Sequence, residues 1–471
     1  MSNAVSRGVE NFGANVRFSP RVFLAPRNED ELLNQLDEYR GRSIRAIGSL
    51  HSWSQAAVAE DVLVDLRHFQ EVHVSDDEQG KVARIGAGCQ IKTVLERLDA
   101  QGLTLPAVGL ISEQTIAGAV GTATHGSGRN SVSHYVTALR IARYDSATGR
   151  ATIHEVRDGD ELRAARCSLG TLGIVVAIEL RPRPQYRVAE WLDHHTTLAS
   201  VLAAEANEPL QQFFLLPWTW DYLGQHRRET DEPRGEWAWL YRIYWFVVVD
   251  ISLHLVLTTL VRHFTSWGIA EFYQWIVPLT LIRKWRVVDR SHDMLIMEHE
   301  LFRHIEVELF VPKSKLAVAL DVAQATIRVF AGDVDGVAWD TRRTLETAEL
   351  WDELETNRAI YRHHYPVCVR KVLSDDALIA MSAGDDEPYY ALSFISYHRP
   401  DDRAGFEKFA RYLCLVLGKL CDARPHWGKF HPLDREAVDR LYPEADRFRE
   451  IRRSADPDGR FLNAWTRELF D

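Results

Sequence analysis

Gly48, Ser49, Leu50, His51 and Ser52 close a short apolar run, Ile44 to Ile47, and set an imidazole three residues after a glycine. A second stretch, Gln114 to Gly128, reads Gln-Thr-Ile-Ala-Gly-Ala-Val-Gly-Thr-Ala-Thr-His-Gly-Ser-Gly, nearly all small side chains. Glycine and other small residues let backbone N–H groups come close to a phosphate, and such concave runs bind anions without a charged side chain. Two such loops in one domain point to a long cofactor threaded between them. Either loop alone is compatible with an ordinary turn. A third small-residue loop, Cys167 to Gly173, leads into the apolar run Ile174 to Leu180. No Gly-x-Gly-x-x-Gly follows a first strand, and no acidic residue sits about twenty residues beyond one, so NAD is not the favoured cofactor.

These loops need elements to hold them. Val22 to Ala25 is a short strand stopped by Pro26, and Asn28 caps a helix whose first turn is acidic and which runs to about Arg40. Ile44 to Ile47 is the strand that delivers the His51 loop. Val62 to Leu66 and Val82 to Gly88 are further strands, and Lys92 to Ala100 is an amphipathic helix with Val94, Leu95 and Leu98 on one face. Val136 to Arg143 and Ala151 to Val156 alternate as a hairpin. Prolines at 182 and 184 mark a boundary. The expectation is an α+β chain in two parts, residues 1–184 around the cofactor and 185–471 over the substrate. In the second part Thr197 to Ala206 and Leu316 to Phe330 read as helices, and Phe213 to Leu216 as a strand. Leu301 to Val311 also reads as a strand; its acids Glu306 and Glu308 alternate onto one face, taken as solvated.

The motifs together resemble one family. Gly48-Ser49-Leu50-His51-Ser52, Glu113-Gln114-Thr115-Ile116-Ala117-Gly118 and Thr124-His125-Gly126-Ser127-Gly128 are similar to the FAD-binding half of the sugar-lactone and alditol oxidases, the aldonolactone oxidase branch of the vanillyl-alcohol oxidase superfamily. Leu169-Gly170-Thr171-Leu172-Gly173-Ile174 resembles that branch's third flavin loop. Arg424-Pro425-His426-Trp427-Gly428-Lys429, the tail Tyr442-Pro443 and Asp456 to Asn463 extend the resemblance over nearly the whole chain. It implies a two-subdomain PCMH-type flavin domain and an α+β cap with an antiparallel sheet. It implies FAD carried covalently by His51 through the flavin 8α-methyl, with Gly48, Ser49, Leu50, Ser52, Thr115, Ala117, Gly118, Gly121, Thr122, His125, Gly126, Gly173 and Ile174 around it. The implied reaction oxidises a CH–OH group of a sugar-derived lactone or polyol, with oxygen, a quinone or a cytochrome as acceptor. The resemblance places Arg370, Lys429, Cys368 and His426 at the reacting centre. Hydride transfer from carbon builds negative charge on the flavin and requires the hydroxyl to lose a proton; one cation suits each need. The sequence does not say which of Arg370 and Lys429 serves which, nor whether His398, His426 or Glu308 is the base.

One position departs from the pattern. In the alditol oxidases the strand carries Glu-x-Arg, and here the first of these is Cys368. A thiol cannot make the charge-assisted contact of a carboxylate. The alternative reading is therefore a catalytically altered relative that binds flavin or ligand at a membrane.

Totals bound the rest. The chain has 471 residues, 46% hydrophobic and 26% charged, which is globular and large enough for two or three domains. A net charge of −11 argues against a nucleic-acid partner. Five cysteines without paired spacing read as reduced thiols in a cytoplasmic protein, and no metal site is expected, the loose His363-His364-Cys368 grouping included. Met1 to Arg7 has no apolar core of a signal peptide. The insert 236–282 is the exception to the globular pattern. Ile243 to Val261 is about 19 residues of mostly apolar sequence, near the length that crosses a bilayer, with Trp237, Trp239 and Tyr241 on one flank and Arg262 and His263 on the other. A second run, Trp275 to Ile282, follows. Asp250 and His254 in the middle of the first run disfavour a full span. Buried helices over the substrate domain and attachment at a membrane surface both remain as readings.

Overall fold

The computed structural model describes residues 8–263, 266–277, 282–297, 303–384 and 387–471. The first part of the chain is built chiefly on two sheets, with two-stranded ladders at Val9–Glu10/Arg17–Phe18 and Leu103–Thr104/Arg183–Pro184 beside them. Val22–Leu24, Val62–Asp65 and Ile44–Ile47 form a parallel three-stranded sheet in that order. Its connecting helix, Glu29–Glu38, is capped by Asn28, whose side chain accepts from Glu31 N. Beside it lies an antiparallel sheet in the order Ala151–Val156, Val136–Tyr144, Ile174–Leu180, Gly80–Gly86, Val72–Asp77. Val94, Leu95 and Leu98 of the helix Ile91–Asp99 are buried on that sheet's core.

The second part is dominated by one antiparallel sheet of eight strands. Its order is Val287–Arg290, Arg187–His195, Tyr222–Thr230, Gln212–Leu215, Val367–Val372, Tyr389–Ser396, Ile305–Pro312 and Arg424–Pro425. The helices Leu316–Phe330 and Ala404–Leu420 pack on one face through a core that holds Leu320, Phe330, Phe409 and Leu413. The opposite face looks toward the cofactor loops. Mixed α+β architecture with an antiparallel cap is thus what the chain adopts.

The C-terminus returns to the first part. Ile44 N donates to Arg460 O at 2.8 Å, and the Asn463 side chain donates to Gln55 O and Val58 O at 2.8 and 3.0 Å. Arg45, fully buried, spends its guanidinium on the carbonyls of Ala56, Leu169, Gly170 and Phe461. Burial pulls its pKa down to about 10, still charged at neutral pH. One side chain therefore ties the His51 strand to the third loop and to the tail.

A second tie joins the two parts at Asp375. Ser131 donates to its carboxylate, and His134 Nδ1 lies 3.6 and 3.4 Å from Asp375 and Asp376. Those two acids, Asp375 foremost, raise the His134 pKa to about 9. A raised histidine stabilises the fold fully below its unfolded value near 6.5, and that contribution is lost as pH rises through about 9. A third of the His134 side chain is open to solvent, so screening leaves about 1 kcal/mol. A His134→Gln variant should melt lower than wild type at pH 6 and level with it at pH 10, as thermal denaturation at the two pH values would show.

The insert differs from a single apolar helix. It is α-helical over Ala238–Tyr244, π-helical over Trp245–Leu253 and α-helical again over His254–His263. Among the described residues no helix is long and apolar enough to cross a membrane. The side chains of Asp250, Arg262 and His263 lie outside the described residues, as do residues 278–281 and Leu301.

Candidate active site

The Ile44–Ile47 strand ends at Gly48, where a Cβ would sit 1.9 Å from Thr115 Oγ1. Glycine there is what lets the first and second loops touch. Leu50 follows with φ +58°, a left-handed conformation that costs a non-glycine residue energy. Neighbouring bonds hold it: Phe12 N donates to Leu50 O at 2.9 Å and Asn11 Nδ2 to Ser52 O at 2.8 Å. His51 is turned to the cavity and stacked on Phe12, with ring centroids 5.1 Å apart.

The Pro-His-Trp-Gly-Lys segment is bonded directly to this loop. Trp53 N and Ser52 Oγ both donate to Gly428 O, at 2.8 and 3.1 Å. The same segment runs along the edge of the strand Ile305–Pro312, since His426 N donates to Glu308 O and Phe430 N to Glu306 O. Two motifs far apart in sequence thus meet at the acids of one strand.

Register explains what faces the loops. Glu308 pairs with Ser393, Ser393 with Cys368 and Cys368 with Phe214; Arg370 pairs with Gln212. Side chains two apart on a strand share a face, so Glu306, Glu308, Cys368, Arg370, Gln212 and Phe214 form one floor. The cavity between floor and loops measures about 690 Å³, and Trp239, Tyr241, Ile243, Trp245 and Phe246 of the insert also line it.

Glu306 and Glu308 are not on a solvated face, contrary to the sequence expectation. Both are buried, at 4% and 1% exposure. The strand has a neighbour on each side and apolar helices behind, so the face left over is the cavity wall. Lys429 Nζ pairs with Glu306 and lies 4.4 Å from the centre of the Trp53 ring. Arg370 Nε donates to Gln212 Oε1 at 3.0 Å, and its Nη1 lies 3.7 Å from Glu308 Oε1. His125 Nε2 lies 3.4 Å from Glu308, and its Nδ1 is 3.0 Å from Gly126 O. Ser393 Oγ is 2.8 Å from both carboxylates and has one proton to give, so it links the two acids. Burial alone would raise the Glu308 pKa; the nearby His125, then Lys429 and His426, outweigh it and hold the carboxyl well below its usual range.

His426 presents no free lone pair in this setting. Its Nδ1 accepts from Gly428 N at 2.9 Å, which leaves the proton on Nε2, and burial pushes its pKa down to about 3. Cys368 is a neutral thiol, pushed up to about 11 by burial. Its Sγ lies 3.9 Å from Gln212 Oε1. His398 is used by Ser396, whose hydroxyl is 2.9 Å from His398 Nδ1.

Of the residues expected around the cofactor, Gly48, Ser49, Leu50, His51, Ser52, Thr115, Ala117, Gly118, Gly121, Thr122, His125 and Gly173 line the cavity. Two do not. Gly126 faces Val108 and borders a separate small pocket, and Ile174 is buried in the core with Leu32 and Val176. His363 stacks on Phe409 and His364 accepts from Tyr397 N, so neither turns toward Cys368. His125, Glu308 and His426 do bring one ligand atom each within 4.8 Å of one another, a spacing a cation could use.

The cavity fits a flavin dinucleotide. Three small-residue loops line it, through Gly48, Gly118 and Gly121, and Gly170 and Gly173. Gln114 Oε1 and Thr124 Oγ1 border it, buried and without a hydrogen-bond partner in the protein. Buried polar atoms in native proteins are nearly always paired, so these await a ligand. Fold and site together define an FAD-dependent oxidoreductase acting on CH–OH donors.

Comparison places it more closely. A family model described as D-arabinono-1,4-lactone oxidase matches residues 176–469, and one described as FAD binding domain matches residues 20–151. The chain belongs to the D-arabinono-1,4-lactone oxidase family. It is 47% identical to a long-chain alcohol oxidase from an uncultured marine euryarchaeote, over 98% of this chain and 97% of that one. It is 26% identical to the L-gulonolactone oxidase of Scyliorhinus torazame, over 98% of each chain. The crystal structure of cholesterol oxidase from Brevibacterium sterolicum superposes with a TM-score of 0.73 at 12% identity, covering 99% of this chain and 97% of that one, which shows a shared fold.

The sequence reads the insert as buried helices over the substrate domain or as a membrane-surface attachment, and places none of its residues at the cavity. Trp239, Tyr241 and Trp245 belong to the insert, which interrupts the resembled pattern. Gln212 carried no motif and Ser393, though within a family-like segment, no role, and only the strand register brings them to the floor.

Proposed function

We propose that the protein oxidises the hydroxyl-bearing carbon of an alcohol whose remaining body is apolar, with FAD held covalently on His51. The convergence of Glu308, Arg370 and Lys429 with the His51 loop on one cavity carries this reading. FAD, when bound, accepts the hydride from carbon. Glu308 takes the hydroxyl proton, which leaves a carbonyl product. Arg370 holds the oxygen as it gives up that proton and lowers its pKa. Ser393 passes the proton on toward Glu306, the partner of Lys429. His125 and Lys429 keep Glu308 ionised between turnovers. Oxygen, giving hydrogen peroxide, or a quinone or cytochrome takes the electrons onward; peroxide release in air distinguishes them.

Two observations favour an apolar body. The roof is mostly aromatic and aliphatic, with Arg242 and His254 beside Trp239, Tyr241, Ile243, Trp245 and Phe246, and the relative at 47% identity is a long-chain alcohol oxidase. A second reading, a sugar lactone or polyol, is favoured by the family description and by the polar floor of Gln212, Arg370 and Glu306. The neutral Cys368 thiol weakens it, since it offers no carboxylate to a second hydroxyl.

Anaerobic bleaching of the flavin separates the readings. For primary alkanols of increasing length, kcat/KM should rise about fourfold per methylene until the cavity is full, from about 0.8 kcal/mol per buried CH2. Bleaching by sugar lactones or alditols and not by alkanols would select the second reading. Bleaching by dithionite alone would mean an altered family member that binds without turnover. With the preferred substrate, Glu308→Gln should lower kcat by about 10²- to 10⁴-fold. The wild-type acid limb should lie below the usual carboxylate range, because the Glu308 carboxyl must be protonated to lose activity.

A further inference from the structure

We propose that His195 and His226 hold a divalent transition-metal ion, zinc(II) or copper(II), on the face of the eight-stranded sheet turned away from the cavity. Register brings the two together. His195 pairs with Tyr222 and His226 with Trp191, and between these pairs Asp193 lies opposite Gly224. The alternation that sends Glu190 and Arg227 to the cavity sends His195 and His226 to the other face. Both rings lean over Gly224, where a Cβ would sit 2.9 Å from His226 Nε2 and 3.2 Å from His195 Cδ2. Glycine inside a strand often marks such a close approach.

Proton accounting argues for the ion. Gln211 Nε2 donates to Val201 O at 2.8 Å, so Gln211 turns its Oε1 to His226 Nδ1, 2.6 Å away, and that nitrogen must carry the ring proton. Ser200 gives its hydroxyl proton to Thr197 O at 2.8 Å, so His195 Nδ1, 3.2 Å from the same hydroxyl oxygen, must donate too. Each neutral ring then has a bare lone pair on Nε2, and the two Nε2 atoms face each other at 3.1 Å. Two lone pairs repel there, and a cation between them removes the conflict. A proton would do so, but it brings no further ligands to a charge beside His226, which is 3% exposed. A metal ion completes its shell with water on the side of the half-buried His195. Two imidazole nitrogens at about 2.0–2.1 Å from one tetrahedral ion stand about 3.3 Å apart, within a small turn of the rings. Imidazole suits zinc and copper, and Gln211 and Ser200 fix the tautomers as outer partners of metal-bound histidines do. Of the charged groups on this face, Asp193 lies 3.9 Å from Lys284 Nζ, and Arg228 is drawn toward Glu208 at 3.5 Å. The ion fastens two neighbouring strands and touches no reacting atom, so this site is independent of the proposed reaction.

Calorimetric titration of the flavin-loaded full chain with zinc chloride, after treatment with EDTA, tests it. Wild type should bind one ion saturably, its thermal midpoint should climb with zinc concentration, and its turnover should not change. His195→Gln should bind zinc at least about tenfold more weakly and keep wild-type turnover. Copper(II)-loaded wild type should show two imidazole nitrogens in its electron spin-echo modulation, a readout that needs no variant. No saturable zinc binding, equal affinity of wild type and His195→Gln, or a single coordinated nitrogen would overturn the proposal. So would zinc that stops turnover and is lost from Glu308→Gln, which would place the ion with His125 and His426 in the cavity.

Discussion

An Arg370→Met enzyme is expected to keep its flavin and to lose about 10³-fold in kcat/KM, measured as the rate of anaerobic flavin bleaching. The guanidinium is the cation placed beside Glu308, so it is positioned where the hydroxyl gives up its proton. Removing one preorganised donor from developing negative charge typically costs 10²- to 10³-fold. A second loss adds to it. Glu308 keeps His125 but loses a charged neighbour, so its pKa rises toward the ordinary range and the acid limb of the pH–rate profile moves up. A merely structural role for Arg370 would lower stability without moving that limb. Arg370→Lys is the control for folding: it restores charge but not the fork that also reaches Gln212, and it should recover only part of the rate.

How much of this was legible beforehand depended on whether the information was local. The Asn28 cap, the helix face of Val94, Leu95 and Leu98, and the strand that stops before Pro26 are properties of neighbouring residues, and they appear as read. The small-residue loops were legible for a similar reason, because closeness of backbone approach is written in residue size. Glu306 and Glu308 failed the same treatment. Alternation says which side chains share a face of a strand, not what covers it. An acidic alternate face usually means water; here the cofactor loops and the segment 425–429 close over it, and those lie more than a hundred residues away. Gln212 was invisible because its role comes from lying opposite Arg370 across a sheet, a register no single strand reveals. The insert was legible as two apolar, aromatic runs, but the break of the first run into α- and π-helical segments was not. The π-helical turn over Trp245–Leu253 is the kind of irregularity that marks functional helices, and here it brings Trp245 and Phe246 to the cavity.

The histidine at the head of the first loop bears the other large effect. His51→Ala should convert a flavin that stays with acid-precipitated protein into one released to the supernatant, while the folded variant remains yellow. The reason the colour should survive is that the cavity does not depend on the linkage. Gly48, Gly118, Gly121 and Gly173 still line it, and Gln114 and Thr124 still present their polar atoms. The imidazole is stacked on Phe12, so its removal leaves a gap at the loop without breaking the bonds from Trp53 and Ser52 to Gly428 that hold the loop in place. What the proposed bond would add is irreversibility. The variant should therefore bind added FAD with a measurable dissociation constant, and its thermal midpoint should climb with FAD concentration, as any ligand that prefers the folded state requires. Flavin that still resists denaturation after His51→Ala would move the linkage to another side chain of the same wall. A colourless variant that takes up no FAD would make His51 part of the cradle itself and not only its anchor.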